Sequence, residues 1–404
     1  MNIKKNDREY LGVNKQKILN AHPILDQERL KLYIHYIVER EEVFKKRQQG
    51  LPYPWTEDEI IKNNSFTNNH RFNDRYSIYV LNNIINDNNT SVSDRIYKSI
   101  LSRIYNSQGF CELVNISNPN FWDEEVVEEN VRKLENPEVT DGNIYTKAYR
   151  CIQMKVCYKN MYPNNHYKAH PLLYVNELRK RYGETILIRF QLSNAKECYE
   201  WLRQNIIGAG TFIAYQMFVD ISYFKEIPFS DRMFAIAGPG CVTGLQYLYK
   251  DWDGLTAEEL LWWHKNNFEE ELKKAYGFGY DKLFDNEPIE NRYFDMQECE
   301  NSFCEFQKYF EFSIHKQRKR RPYRAEDVKP LSYLIATESE KEKEFLEGKN
   351  LIRNSKYNYL ELRKTTDINK WQLLDTRINL SVHEVGPKTM IKHIREIIQE
   401  SEEK

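Results

Sequence analysis

The stretch from Ile206 to Leu245, IIGAGTFIAYQMFVDISYFKEIPFSDRMFAIAGPGCVTGL, constrains this chain most. Gly208 and Gly210 stand directly before an apolar run, Thr211 to Tyr223, that suits a buried helix. Glycine reaches positive φ and lets backbone amides come close to a ligand. A helix that starts right after such a turn aims its unpaired N–H groups at the same place. Gly208, Gly210 and Thr211 therefore make a small anion site, of a size for one phosphate. A plain turn between two helices would carry the same residues. Pro228-Phe229-Ser230-Asp231 follows with a single carboxylate, and Gly238-Pro239-Gly240 reads as a second glycine hairpin.

Composition sets the wider frame. Of 404 residues, 41% are hydrophobic, enough for a sizeable core, and only 15 Gly and 13 Pro argue against a loop-dominated β protein. Helical periodicity recurs along the chain, so the expected class is mainly α. Net charge is −1, so any nucleic-acid site must come from local clustering of the 59 Lys and Arg. The seven cysteines show neither paired nor metal-ligand spacing. With no signal peptide and no apolar run of about 18 residues, the expectation is a cytoplasmic chain with reduced thiols and no membrane contact.

In chain order, residues 1–27 read as a polar arm. Leu30, Leu32, Tyr33, Tyr36, Ile37 and Phe44 have helical spacing up to Gln49-Gly50. Leu51-Pro52-Tyr53-Pro54-Trp55 must be extended, and Thr56 is expected to cap the next helix. A further helix is expected from Tyr76 to Ile85. His166 and His170 have an i, i+4 spacing that could bind a metal, but Pro163 and Pro171 favour a loop, and no metal or cofactor is expected. Thr185 to Phe190 reads as a strand or a short buried segment. Lys316, Arg318, Lys319, Arg320, Arg321 and Arg324 form the most basic run, with Lys319, Arg320 and Arg321 expected on DNA phosphates. Trp371 to Leu374 and Ile378 to Leu380 read as a strand pair.

Two resemblances rest on these residues. Gly208-Ala209-Gly210, the helix after it and Pro228-Phe229-Ser230-Asp231 resemble the helix-hairpin-helix superfamily of base-excision DNA glycosylases. That resemblance puts Asp231 in the catalytic aspartate slot. Phe212 fills the slot of the lysine that bifunctional members carry, so Schiff-base lyase chemistry is not expected. The iron–sulfur cysteine array is missing as well. The second resemblance rests on three strings. Glu39, Arg40, Arg47, Gln48, Gly50, Pro52, Pro54, Trp55, Thr56 and Asp58 form the first, and Phe66, Thr67, Asn68, Arg71, Asp74 and Arg75 the second. Glu300-Asn301-Ser302-Phe303-Cys304-Glu305-Phe306-Gln307-Lys308-Tyr309 forms the third. Together they resemble the phage α-glutamyl/putrescinyl-thymine pyrophosphorylases, whose helical domain also occurs in 5-hydroxymethyl-deoxyuridine DNA kinases. Gln307 stands where that family has Asp, which removes a carboxylate.

The resemblance implies a helix-hairpin-helix, DNA-glycosylase-like helical domain over residues 28–325; residues 326–404, past the resemblance, read as a small α+β module of unknown use. It implies DNA as partner and a thymine-derived base as target. The activity implied is displacement of pyrophosphate from pyrophosphoryl-hydroxymethyluracil by an amine, either an amino acid or a polyamine. Asp231 is then the catalytic carboxylate. Gly208, Gly210, Thr211, Gly238 and Gly240 would touch DNA phosphates. Trp55, Asn68, Arg71, Asp74, Arg75, Glu300, Asn301, Glu305 and Lys308 would bind substrate, although each charged member could equally be half of a structural ion pair. A base excision by hydrolysis and a non-catalytic DNA-binding module are the alternatives. The chain lacks the Gly-rich Lys loop of a kinase, so phosphorylation would need a separate DNA kinase.

Overall fold

In the computed structural model the described residues are 10–140, 144–146 and 170–315, together with the strands Leu360–Lys364, Trp371–Asp375 and Leu380–Val385. The chain forms two compact units, one of residues 1–45 and 54–323, the other of residues 46–53 and 324–404. The first is built of helices. Its described strands are only Ile24–Leu25 and Tyr249–Asp251, paired antiparallel. In the second unit the three strands form an antiparallel sheet in sequence order. Of the strand pair expected from sequence, the first falls in Trp371–Asp375, whereas its partner is Leu380–Val385, which shares only Leu380 with the expected Ile378 to Leu380.

An aromatic core holds the helical unit. The helix Gln27–Gln48 buries Tyr33, Tyr36, Ile37 and Phe44, and its Tyr33 and Tyr36 meet Phe303, Phe306 and Tyr309 of the helix Met296–His315. Tyr33 stacks on Phe303 at 4.9 Å between ring centres, and its hydroxyl meets Ser302 Oγ at 2.7 Å. Such ring pairs add to plain area burial. The helix Val92–Tyr105 is buried almost throughout. Its Arg103 forms a fork-to-fork pair with Asp220, with Nε 2.6 Å from Oδ2, which ties it to the helix Thr211–Ser222. Both partners are buried, and the paired geometry is what makes that tolerable. The described part of the N-terminal arm is tied down: Lys17 Nζ lies 2.7 Å from Glu259 Oε2, and Trp263 Nε1 donates to Ala21 O at 3.1 Å.

Several elements differ from the sequence expectations, each for a local reason. Thr185–Leu192 is a helix, not a strand, with Ile186 and Phe190 buried at i, i+4 and Ile188 left 54% exposed. Thr56 does not cap the next helix. Asp58 does, accepting from the N–H groups of Ile60 and Ile61 at 2.8 and 3.0 Å. Thr56 Oγ1 instead donates to Glu39 Oε2 and accepts from Asp58 N, which bends the chain into that cap. Gly238-Pro239-Gly240 is a helix start rather than a hairpin. Gly238 is the N-cap of Pro239–Leu248, with proline where its missing N–H costs nothing. His170 opens the helix His170–Tyr182, not a loop, and His166 lies outside the described residues.

Candidate functional site

The hairpin itself is exposed. Gly208 has φ +78°, Gly210 N donates to Gly208 O at 3.0 Å, and Gly210 is the N-cap of Thr211–Ser222. Gly208, Gly210 and Thr211 all face solvent, and nothing lies within 4 Å of where a Cβ on Gly210 would sit. Tyr174 braces the turn from behind, since its hydroxyl accepts from Ile207 N at 3.2 Å and donates to Asn205 O. Gly238 and Gly240 sit elsewhere. Gly238 is buried, and its N–H donates to Glu300 Oε1 at 3.4 Å. A Cβ on Gly240 would come 2.7 Å from Cys304 Sγ, so that glycine serves close helix packing.

The three strings of the second resemblance meet in space. Thr67 Oγ1 donates to Asn301 Oδ1 at 3.1 Å, and Asn301 Nδ2 returns a bond to Asn68 O at 2.9 Å. Arg40 Nε donates to Thr67 O, and Asn68 Oδ1 accepts from Arg40 Nη2. Asn68 N donates to Asp74 Oδ1 at 2.8 Å. Asn68 and Asn301 are thus spent in fixing the 66–75 loop against the Met296–His315 helix. Glu305 is buried, pairs with Lys308 and accepts from Thr67 N at 3.4 Å. Trp55 is buried and Arg75 is exposed. Gln307, in the position of the missing Asp, bonds Glu311 on its own helix. Lys319, Arg320 and Arg321 lie outside the described residues.

Asp231 heads the short turn Asp231–Met233 and is buried. Near it the fold gathers further carboxylates, of which Glu300 and Asp74 were singled out from the sequence and Glu298 and Asp295 were not. Glu298 is buried, and burial first, then the charges of Asp231 and Asp295, push its carboxyl well above the usual range. Two like charges so close in a low dielectric cannot both ionise. Asp295 is paired from the other side with Arg232, Nε at 2.5 Å, and with Lys265, Nζ at 3.5 Å. Arg232 also lies 3.7 Å over the Tyr293 ring. Glu300 is pushed up to about 7 by burial, against the opposing pull of Gly238 N–H, Arg71 and Lys308. Burial of its carboxyl raises Asp74 to about 6, again opposed by Asn68 N–H, Arg71 and Arg40. The phenols of Tyr215, Tyr223 and Tyr293 are raised, first by burial and then by these carboxylates. Arg71 is the cation common to Asp74, Glu300, Tyr215 and Tyr223.

Glu298 was hard to find in the sequence because Asp295-x-x-Glu298 reads as an ordinary helix start. Glu298 does accept from Asp295 N at 3.0 Å, as a capping residue would. Chemically, the centre offers several buried carboxyl groups, of which Glu300, near 7, can give or take a proton at neutral pH, and cations beside them. A cavity of about 250 Å³ lined by Val127, Val131 and Leu173 lies apart, between the helices Glu124–Glu135 and His170–Tyr182.

Comparison with known proteins converges on the same strings. The family model described as "5-hmdU DNA kinase, helical domain" matches residues 27–319, a span that contains all three. A curated relative, the 5-hmdU DNA kinase of Bacillus phage SP10, is 21% identical over 317 residues, covering 76% of this chain and 49% of the relative. The chain therefore spans about half the length of the relative it matches. No solved structure matches it.

Proposed function

The chain belongs to the family of the 5-hmdU DNA kinase helical domain, and from that premise we propose that it modifies a thymine-derived base in DNA. The relative's name couples 5-hydroxymethyl-deoxyuridine in DNA with phosphoryl transfer. We carry over the base and not the phosphoryl transfer, because the match spans only half of the relative and the sequence has no Gly-rich Lys loop. The reaction proposed is displacement of pyrophosphate by an amine at the exocyclic carbon of hydroxymethyluracil. A base in a duplex is out of reach until it leaves the stack. The exposed turn at Gly208–Thr211 would hold a backbone phosphate while the base enters beside Asp231.

One observation carries this reading: the surplus of buried carboxylates around Asp231. Base excision needs a single carboxylate to steady a cationic sugar. An amine-transfer site must also bind an ammonium ion and take its protons. Asp231 would hold the incoming nitrogen, and Glu300, near 7, would accept a proton from it. The nitrogen then bonds to the exocyclic carbon as the carbon–oxygen bond breaks. Pyrophosphate leaves with the bonding pair towards Arg75 and Lys308 at the rim. A separate DNA kinase would supply the pyrophosphorylated base.

The test is mass spectrometry of nucleosides and free bases after incubation with DNA bearing thymine, hydroxymethyluracil or its pyrophosphoryl ester, with and without an amine mixture. A heavier nucleoside that needs both ester and amine, and that Asp231→Asn abolishes, is the expected result. Free base and abasic sites without amine would instead make the protein a glycosylase. Unchanged DNA that is still retarded on a gel would leave a binding module.

A further inference from the structure

Tyr223 and Arg71 carry two buried donors that have no hydrogen-bond partner among the described residues. Tyr223 is the C-cap of Thr211–Ser222, eight positions before Asp231 in the chain. Its hydroxyl oxygen is buried and has no hydrogen-bond partner among the described residues. Arg71 Nε is buried and equally unpartnered, although the rest of the side chain is partly exposed. Each unpaired buried donor costs about 1–3 kcal/mol, so native structures seldom keep one without use. The two donors lie within electrostatic reach of each other and of Asp231. The phenol is held protonated and is therefore a permanent donor.

We propose that Tyr223 and Arg71 read the carbonyl edge of the pyrimidine, and so select uracil-type over cytosine-type bases. This rests on the reading of the site given above. A phosphate oxygen is the poorer occupant, because the charge of Asp231 acts on the Tyr223 hydroxyl and would repel a dianion. A neutral carbonyl meets both donors without that penalty. Uracil and its 5-substituted forms carry two carbonyls beside N3–H, and a carboxylate of the cluster can accept that N3–H. Cytosine presents an amino group in place of one carbonyl. Donor would then face donor, and a site built to hydrogen-bond one group rejects its analogue strongly.

The experiment uses the full chain and three duplexes that differ at one position: 5-hydroxymethyluracil, 5-hydroxymethylcytosine or an abasic analogue. Fluorescence anisotropy gives the affinity for each. The wild type should prefer hydroxymethyluracil over hydroxymethylcytosine. Tyr223→Phe removes one oxygen that no group among the described residues uses, so the melting temperature and the affinity for the abasic duplex should not fall. The preference should drop about tenfold, as expected for one lost hydrogen bond in a buried site. Arg71→Lys should lower it as well. Retention of the full preference by Tyr223→Phe overturns the assignment and leaves the proposed function standing. A wild type that prefers neither base overturns both.

Discussion

Glu300 and Glu41 are both pushed up to about 7, and burial is the first cause for each, yet they predict different things. Glu300 sits with the carboxylates around Asp231. If it takes the amine's proton, kcat/KM should rise with pH and level off above about 7. Glu300→Gln should remove that limb, which a pH–rate profile checks. Glu41 lies away from Asp231, accepting from Asn69 Nδ2 at 3.0 Å, with Oε1 buried and unpartnered. A carboxyl raised in the fold binds its proton more tightly there than in the unfolded chain. Its contribution to stability is whole below the unfolded value of 4.5 and is lost as pH rises through about 7. Glu41→Gln, which carries no charge at any pH, should escape this loss. Its stability should match the wild type near pH 4 and exceed it by about 3 kcal/mol at pH 8, read from urea denaturation at both. A spacing singles out Asp231 in the sequence. The burial of Glu298 beside it and of the Tyr223 hydroxyl could not be read there, since both follow from the way distant elements pack.

Elements carry their own constraint where Pro239–Leu248 meets Met296–His315. Glycine inside a helix costs about 1 kcal/mol against alanine, so alanine there should normally stabilise. Close approach reverses the sign. A Cβ on Gly244 would come 2.2 Å from the carbonyl oxygen of Phe303, which is backbone and cannot step aside. On Gly240 the obstacle is the Cys304 sulfur at 2.7 Å. Gly244→Ala should therefore destabilise by about 1–3 kcal/mol, an overpacking cost that no side-chain change relieves. Gly240→Ala should be milder, and Cys304→Ala should rescue it while leaving Gly244→Ala unaffected. A double-mutant cycle by chemical denaturation reads that difference. The glycine positions were plain from the sequence and suggested a hairpin, because a Gly-Pro-Gly string fits a turn as well as a helix start. The partner helix decides between them, and it is contributed by residues far along the chain. Thr185–Leu192 failed for a similar reason. A short apolar run fits strand and helix alike, and only the exposure of Ile188 between buried Ile186 and Phe190 separates the two.

At the scale of the whole molecule, charge limits how DNA can be held. With 59 basic and 60 acidic side chains, the chain has no general attraction for a polyanion, so affinity must come from a few local contacts. The charge balance was legible from composition, and the likeness to the 5-hmdU DNA kinase helical domain was legible from three short strings. What the strings could not show is that they converge, because hydrogen bonds such as Thr67 to Asn301 join residues more than two hundred positions apart. The same separation of tasks can be tested on DNA. Phosphate contacts position a protein and base contacts specify the site. Lys319, Arg320 and Arg321 are the basic residues proposed for the backbone, and Tyr223 and Arg71 those proposed for the base. Replacing the three basic residues with alanine should flatten the dependence of log affinity on log salt by roughly 0.9 for each phosphate that is no longer neutralised. It should leave the ratio between hydroxymethyluracil and hydroxymethylcytosine duplexes where it was. Tyr223→Phe should do the reverse, keeping the salt slope and reducing the ratio. Anisotropy titrations over a salt series measure both quantities on the same samples. An unchanged salt slope in the alanine variant would remove the basic run from the DNA interface and leave the Gly208–Thr211 turn as the remaining proposed anchor.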